Sequence, residues 1–257
     1  MTTSETETRE QASPGAGRGT RRTVWITGAG SGMGRATALR AARSGWTVAL
    51  SGRRRQVLEE LAAEIREEGG SALVAPLDVQ DREAVREAAS RIAGELGGID
   101  ALVLAAGLNA PRRRWEDQDL TEFDAIVATN LTAVASTVDA ALPHLRERGG
   151  QVVVISSYAG WSFQPGAGVA YSASKTALGS LVRTLNQQEA AHGVRACHLC
   201  PGDVATDFLD QRPSVPDAEA RARMLTAEDI ARTACFVLDS PVHVRIDELV
   251  VSPVSQA

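Results

Sequence analysis

The chain has 257 residues and a formal net charge of −5, with 44% hydrophobic, 23% charged and 4% aromatic residues. This balance lacks the basic surplus of a general nucleic-acid-binding protein, and no apolar run reaches the ~18 residues of a membrane span. We therefore expect neither nucleic acid nor a membrane as a partner. The start lacks the apolar segment of a secretory signal, and the three cysteines form no disulfide framework, so we expect a reduced, cytoplasmic protein.

Residues 1–21 contain almost no apolar side chains. Such a segment cannot offset the entropy cost of ordering, so we predict a disordered N-terminal tail. Residues 22–257 show no break in composition and no linker, which predicts a single domain.

Within that domain, short apolar runs alternate with longer amphipathic segments. The runs lie at 23–27, 47–51, 72–76, 101–105, 151–156, 194–200 and 246–251. Near-continuous apolar runs are typical of strands buried on both faces. The pattern therefore predicts an α/β fold, a doubly wound (Rossmann-type), seven-stranded parallel sheet with helices on both faces.

A glycine-rich turn joins the first strand to the first predicted helix. Glycine permits positive φ and lets a pyrophosphate approach the backbone, and the helix N-terminus offers free N–H groups. We therefore expect contacts to a dinucleotide cofactor from this turn, although a tight turn without a ligand is the alternative on these residues alone. The predicted contacts are Thr27, Gly28, Gly30, Ser31, Gly32, Met33 and Gly34.

The second strand ends in a cluster of three arginines, at the place where an NAD-binding unit carries a carboxylate. Guanidinium groups can bind a 2′-phosphate through bidentate, charge-assisted bonds. Arg53 and Arg54 thus favour NADP(H) over NAD(H), the alternative being a solvated basic surface.

Tyr171 and Lys175 lie four residues apart and share one face of a predicted helix. A fixed ammonium favours the phenolate, which brings proton transfer by tyrosine closer to neutral pH. Ser157 follows the fifth strand, and Asn130 is a polar position in an otherwise apolar helix. For Asn130 a purely structural hydrogen bond is the alternative.

Along the α/β pattern the chain carries, in this order, TGxxxGxG, Asn130, Ser157 and Tyr171-x-x-x-Lys175. This combination resembles the short-chain dehydrogenase/reductase family over residues 23–251. The resemblance is to its small, single-domain, NADP-dependent type, and the C-terminus is similar to that of 3-hydroxy acid dehydrogenases. It implies Tyr171 as the general acid/base and Lys175 as the ligand of the nicotinamide ribose that lowers the tyrosine pKa. It implies Ser157 as the ligand of the substrate oxygen and Asn130 as the anchor of a proton-relay water.

The resemblance also implies further cofactor contacts and a homo-oligomer, a tetramer or a dimer. The implied contacts are Asp78, Val79, Ala105, Gly107, Tyr171, Lys175, Pro201, Gly202, Val204 and Thr206. The chain departs from the family's Asn-Asn-Ala-Gly after the fourth strand, where it has Leu104-Ala105-Ala106-Gly107.

Several residues near the motifs are candidates for a substrate pocket. An arginine after the fourth strand could bind an anionic group of the substrate, with a solvated basic loop as the alternative. Aromatic and polar residues just past Ser157 could line the pocket, with core packing as their alternative. The candidates are Arg112, Trp161, Phe163, Gln164 and Asp203.

These observations predict an NADP(H)-dependent oxidoreductase that interconverts a small ketone, aldehyde or oxo acid and an alcohol by hydride transfer. A non-catalytic dinucleotide-binding sensor or interaction protein is the alternative from another class, and a dehydratase or epimerase is the alternative chemistry. No metal site is expected, because the histidines show no ligand spacing. Cys197 and Cys200 lie three apart on a predicted strand and therefore point to opposite faces.

Overall fold

Seven strands join into one parallel sheet in the order β3-β2-β1-β4-β5-β6-β7. The computed structural model describes residues 22–256, so the predicted tail at 1–21 and Ala257 lie outside the described residues. The strands are β1 (Thr23–Thr27), β2 (Thr47–Ser51), β3 (Ser71–Val74), β4 (Ala101–Leu104), β5 (Gln151–Ile155), β6 (Arg195–Pro201) and β7 (Glu248–Val251).

Burial explains why the strands read as continuous apolar runs. Every residue of β1, β2, β4, β5 and β6 is buried, because helices cover both faces of the central sheet. The edge strands β3 and β7 are only partly buried.

Helices cover the sheet in two layers, as a doubly wound fold requires. One face packs on α1, α2 and α9, and the other packs on α3, α5 and α7. The helices are α1 (Gly32–Arg43), α2 (Arg55–Glu67), α3 (Arg82–Leu96), α4 (Leu120–Val127), α5 (Ala133–Arg146), α6 (Tyr158–Trp161), α7 (Val169–Gln188), α8 (Ala218–Ala222) and α9 (Ala227–Leu238). The predicted fold class is therefore confirmed.

The sheet order reverses between β1 and β4, since β1 has β2 on one side and β4 on the other. The connections after these two strands leave the sheet toward opposite faces, which opens a crevice at their carboxyl ends. Ligands of doubly wound folds bind at this position.

The helical segment Leu120–Arg146 is long and apolar enough, by length and composition alone, to cross a membrane. It comprises α4, a π-helical turn at Ala128–Thr132 and α5. The side chains of Val134, Val138 and Leu145 are buried in the core on the α3/α7 face of the sheet. This packing identifies the segment as a core element of the domain.

Candidate active site

A cleft of about 790 Å³ opens at the carboxyl ends of the central strands. Its walls include Gly28 after β1, Ala105 after β4, Ser157 after β5 and Pro201 at the end of β6. Other predicted site residues that line it are Gly30, Ser31, Gly32, Met33, Gly34, Arg53, Arg54, Asp78, Val79, Gly107, Gln164, Tyr171, Lys175, Gly202, Asp203, Val204 and Thr206. The topology thus brings together motifs that are up to about 180 residues apart.

The glycine-rich turn lies directly against the loop that follows β4. Gly28 has φ +66°, and a Cβ there would lie 2.7 Å from the backbone carbon of Ala105. Only glycine permits this approach without displacing the neighbouring loop. Thr27 is 2% exposed and does not line the cleft; its carbonyl accepts a hydrogen bond from the Ala105 amide at 3.3 Å. Thr27 therefore joins the two loops of the cleft floor.

The arginines after β2 lie on the same cleft wall as the glycine-rich turn. Arg54 donates a hydrogen bond from Nη2 to the Gly30 carbonyl at 3.3 Å, and the first turn of α2 carries no acidic residue. Helix N-termini normally favour acids, so the exposed basic side chains here fit an anionic ligand. The donor set suits the 2′-phosphate of NADP(H), and the glycine turn suits its pyrophosphate.

Lys175 is a largely buried cation in the cleft floor. It is 4% exposed, and its ammonium donates a hydrogen bond to the Ile155 carbonyl at 3.1 Å. Burial lowers the pKa of this ammonium to about 8. The Lys175 Nζ lies 5.7 Å from the centre of the Tyr171 ring.

Tyr171 lies on the same helix, one turn before Lys175. Burial raises the pKa of the Tyr171 phenol, and hydrogen bonding by the Ser157 hydroxyl acts in the opposite direction. The charges that also lower this pKa are those of Arg113 and Arg212. Neither arginine was predicted as a site residue.

Ser157 occupies the position where β5 passes into α6. Its backbone is extended, with φ −166°, and its side chain accepts a hydrogen bond from the Ala159 amide at 3.2 Å. The serine therefore caps α6, and the cap fixes its hydroxyl beside Tyr171.

Asn130 lies in the π-helical turn and is fully buried, so it does not line the cleft. Its Nδ2 donates to the Leu108 carbonyl at 2.9 Å and to the Ser174 hydroxyl at 3.2 Å, while its Oδ1 accepts from the Leu108 amide at 2.8 Å. The amide thus links the β4–α4 loop to α7. This is the structural hydrogen bonding that the sequence left open as an alternative.

Three of the five predicted substrate-pocket residues lie outside the cleft. Arg112 forms ion pairs with Asp119 at 3.1 Å and Glu122 at 3.0 Å, so its guanidinium points toward the start of α4. Trp161 packs edge-on against Tyr158, with ring centres 5.1 Å apart, and is half exposed.

The third is Phe163, which is 80% exposed on the loop after α6. These positions correct the expectation that Arg112, Trp161 and Phe163 line the pocket. Gln164 and Asp203 do line it.

The structure adds cleft residues that sequence reasoning missed. Arg113, one position from the predicted Arg112, enters the cleft together with Arg212. Phe208 packs against Tyr171, with ring centres 6.1 Å apart. Gln256 also reaches the cleft, because its Oε1 accepts a hydrogen bond from the Asp203 amide at 2.8 Å. The basic run at 112–114 gave a sequence signal for Arg113.

A cluster of three potential metal ligands lies on the α7 side of β6 and β7. Alternate residues His198 and Cys200 share one face of β6, and Glu248 pairs across from His198 on β7. The His198 Nδ1 lies 3.0 Å from Glu248 Oε2 and 3.4 Å from Cys200 Sγ. Chain spacing among histidines could not reveal this cross-strand cluster. The mutual hydrogen bonds account for the burial of the imidazole.

The fold and the cleft together define the class of dinucleotide-binding oxidoreductases. Tyr171, Lys175 and Ser157 lie at the crevice where the strand order of the doubly wound sheet reverses. Residues 22–216 match the model of the short chain dehydrogenase family. The chain belongs to this family.

Similar proteins agree with that assignment. Sulfoacetaldehyde reductase 2 from Chromohalobacter salexigens is 34% identical over 91% of this chain and 95% of its own length. Glycine betaine reductase ATRR from Emericella nidulans is 35% identical, and the match covers 89% of this chain but only 18% of that protein.

Solved structures share the whole architecture. An alcohol dehydrogenase from the archaeon Thermococcus sibiricus, complexed with 5-hydroxy-NADP, superposes with a TM-score of 0.84 and 32% identity, covering 92% of this chain and 98% of that chain. The closed form of a serine dehydrogenase complexed with NADP+ gives a TM-score of 0.83 and 30% identity, covering 91% and 96%.

Proposed function

We propose that this protein is an NADP(H)-dependent oxidoreductase that interconverts a small carbonyl compound and an alcohol, with Tyr171 as the general acid/base. The observation that carries the proposal is the convergence of Tyr171, the Ser157 hydroxyl and the buried Lys175 ammonium at the cleft that the glycine turn borders. Two of the similar proteins are, by their names, a reductase of sulfoacetaldehyde and a dehydrogenase of serine.

The cleft residues fit NADP(H). The glycine turn at Gly28–Gly34 would hold the pyrophosphate, and Arg53 and Arg54 would hold the 2′-phosphate. Lys175 would bind the nicotinamide ribose, and Asp78 would lie on the adenine side. When bound, the cofactor supplies or accepts the hydride.

The chain's own residues bind the substrate oxygen and transfer the proton. In the reductive direction the Ser157 hydroxyl donates a hydrogen bond to the carbonyl oxygen and polarises it. The carbonyl carbon gains the hydride with its electron pair, and the oxygen takes the phenolic proton of Tyr171. A solvent proton then restores the phenol, so that carbonyl, hydride and one proton yield the alcohol.

Lys175 in the cleft floor and Asn130 behind it support Tyr171. The Lys175 ammonium stabilises the phenolate that proton donation leaves. Asn130 holds α7 against the β4–α4 loop and so positions the helix that carries Tyr171. We retain the proposal that Asn130 also anchors the water of a proton relay.

Tyr171→Phe tests the mechanism. The substitution removes the acid/base group and leaves the ring that packs on Phe208, so kcat should fall about 10²- to 10⁴-fold while NADPH affinity stays unchanged. NADPH oxidation at 340 nm across a panel of aldehydes and ketones, together with NADPH titration, measures both quantities. Wild-type NADPH binding without turnover of any carbonyl or alcohol would instead favour the non-catalytic dinucleotide sensor.

Two further expectations stay predictions. The resemblance to the family implies a tetramer or a dimer, which light scattering at several protein concentrations would test. The expected cytoplasmic location follows only from the sequence.

A further inference from the structure

Arg113 lies in the wall of the cleft and is held by three loops. Its Nε donates a hydrogen bond to the Ala110 carbonyl at 2.8 Å, Nη1 to the Gly166 carbonyl at 3.1 Å and Nη2 to the Gln211 carbonyl at 2.9 Å. These contacts fix the guanidinium between the β4–α4 loop, the α6–α7 loop and the segment after β6. They use three of its five N–H donors and leave two for a ligand.

The charge of Arg113 has no acidic partner among residues 22–256. The arginines on either side of it do have acidic partners. Arg112 pairs with Asp119 and Glu122, and Arg114 pairs with Glu116. Burial lowers the pKa of the Arg113 guanidinium, and the nearby charge of Arg212 lowers it further. A partly desolvated cation without a counter-ion is unfavourable, so the cleft presents an uncompensated positive charge.

The other charged groups on this wall do not compensate for it. Arg212 is itself paired with Asp203, which leaves that pair neutral overall. Asp207 lines the cleft but is exposed to solvent, and Lys175 adds a further positive charge in the floor. Both Arg113 and Arg212 are close enough to Tyr171 for their charges to act on its phenol.

We propose that Arg113 binds an anionic group, a carboxylate or a sulfonate, at the end of the substrate away from the reacting carbon. The planar guanidinium with two free donors matches two oxygens of such a group. This proposal rests on the proposed function and specifies its substrate class as short aldehydes, ketones or alcohols that carry one negative charge. The site differs from the predicted 2′-phosphate site, since Arg54 bonds the Gly30 carbonyl of the glycine turn, whereas Arg113 bonds carbonyls of three other loops.

Matched substrates test the proposal in the wild-type enzyme. Succinate semialdehyde carries a carboxylate, and pentanal has a similar length without a charge. We expect kcat/KM for the anionic aldehyde to exceed that for pentanal by about 10- to 100-fold, the range for a charge-assisted hydrogen bond. Equal kcat/KM values would overturn the proposal.

Arg113→Gln should remove most of this preference, so that the ratio of kcat/KM for succinate semialdehyde to kcat/KM for pentanal falls toward one. Arg114→Gln is the matched control, because it makes the same charge change on the same loop with a side chain that is 80% exposed. An equal loss for both aldehydes in Arg113→Gln would mean that the arginine acts only as a clamp of the loops. Arg113→Lys keeps the charge and should retain part of the preference if Arg113→Gln fails to fold.

A binding measurement separates this proposal from the proposed function. Calorimetric titration of the NADP+ complex with ethanesulfonate should give binding that Arg113→Gln abolishes and Arg114→Gln retains, with ethyl methyl sulfone as the uncharged control. Binding of ethanesulfonate with this dependence, but no turnover of any aldehyde, ketone or alcohol in the panel, would refute the oxidoreductase proposal and leave the anion site standing. Turnover without selective binding of ethanesulfonate would refute the anion site alone.

Discussion

Gly28→Ala perturbs the approach of the glycine turn to the loop after β4. The new Cβ would lie 2.7 Å from the Ala105 carbon and the Ala106 nitrogen, whereas ordinary contacts begin near 3.4 Å. The two loops must therefore separate by about 0.7 Å, and both neighbours are backbone atoms that cannot turn away. A displacement of this size at a ligand cradle costs up to about 10²-fold in function, so we expect the Kd for NADPH to rise at least tenfold.

Gly45→Ala provides the matched control for this experiment. Gly45 also has positive φ, +86°, but nothing lies within 4 Å of a Cβ placed there. It should show only the strain of a left-handed alanine, about 1–2 kcal/mol, which lowers Tm by roughly 2–8 °C in a chain of this size. Gly28→Ala should lower Tm by more than Gly45→Ala does.

The assay pairs thermal unfolding with NADPH titration for both variants. We expect weakened NADPH binding only in Gly28→Ala. If Gly28→Ala bound NADPH like the wild type, or if Gly45→Ala weakened binding equally, the close approach of the two loops would not support the cofactor site.

Three further predictions concern charge. Arg53→Ala and Arg54→Ala should each raise the Kd for NADPH about 10- to 100-fold and leave that for NADH within twofold, as measured by fluorescence titration. Lys175→Met should raise the free energy of unfolding at pH 7 by up to about 3 kcal/mol, because burial lowers the lysine pKa to about 8. This gain should shrink as pH rises above 8 in urea titrations, since the native lysine loses its proton before the unfolded one; a constant gain would contradict the assignment. Burial raises the pKa of Tyr171, and Arg113 opposes that rise, so Arg113→Gln should move the pH profile of alcohol oxidation to higher pH.

Much of the fold followed from hydrophobic patterning. Strands buried on both faces have continuous apolar runs, and each predicted run overlaps an observed strand. The edge strand β7 begins at Glu248 and not at the predicted 246, because edge residues are not fully buried and give a weaker signal. The placement of Tyr171, Lys175 and Ser157 along one cleft was predictable, because the first two share one helix face and Ser157 follows a strand of the parallel sheet. Their catalytic roles stay predictions.

Residues on irregular loops were harder to predict. The sequence predicted that one arginine of the 112–114 run is an anion ligand and favoured Arg112. In the structure it is Arg113 that lines the cleft. No periodicity governs such a loop; the acids at the start of α4 bind Arg112, and distant carbonyls bind Arg113. For the same reason the exposure of Phe163 and the meeting of His198 with Glu248 depend on contacts that no local pattern encodes.

The three carbonyl contacts of Arg113 have an evolutionary consequence. One side chain both shapes the entrance of the cleft and supplies its unpaired charge, so these two properties cannot change independently. A descendant that accepts uncharged substrates must replace the charge and also rejoin loops that lie up to 98 residues from Arg113 in the chain. Adaptation of this pocket through Arg113 should therefore need paired substitutions, while changes at Gln164 can proceed singly.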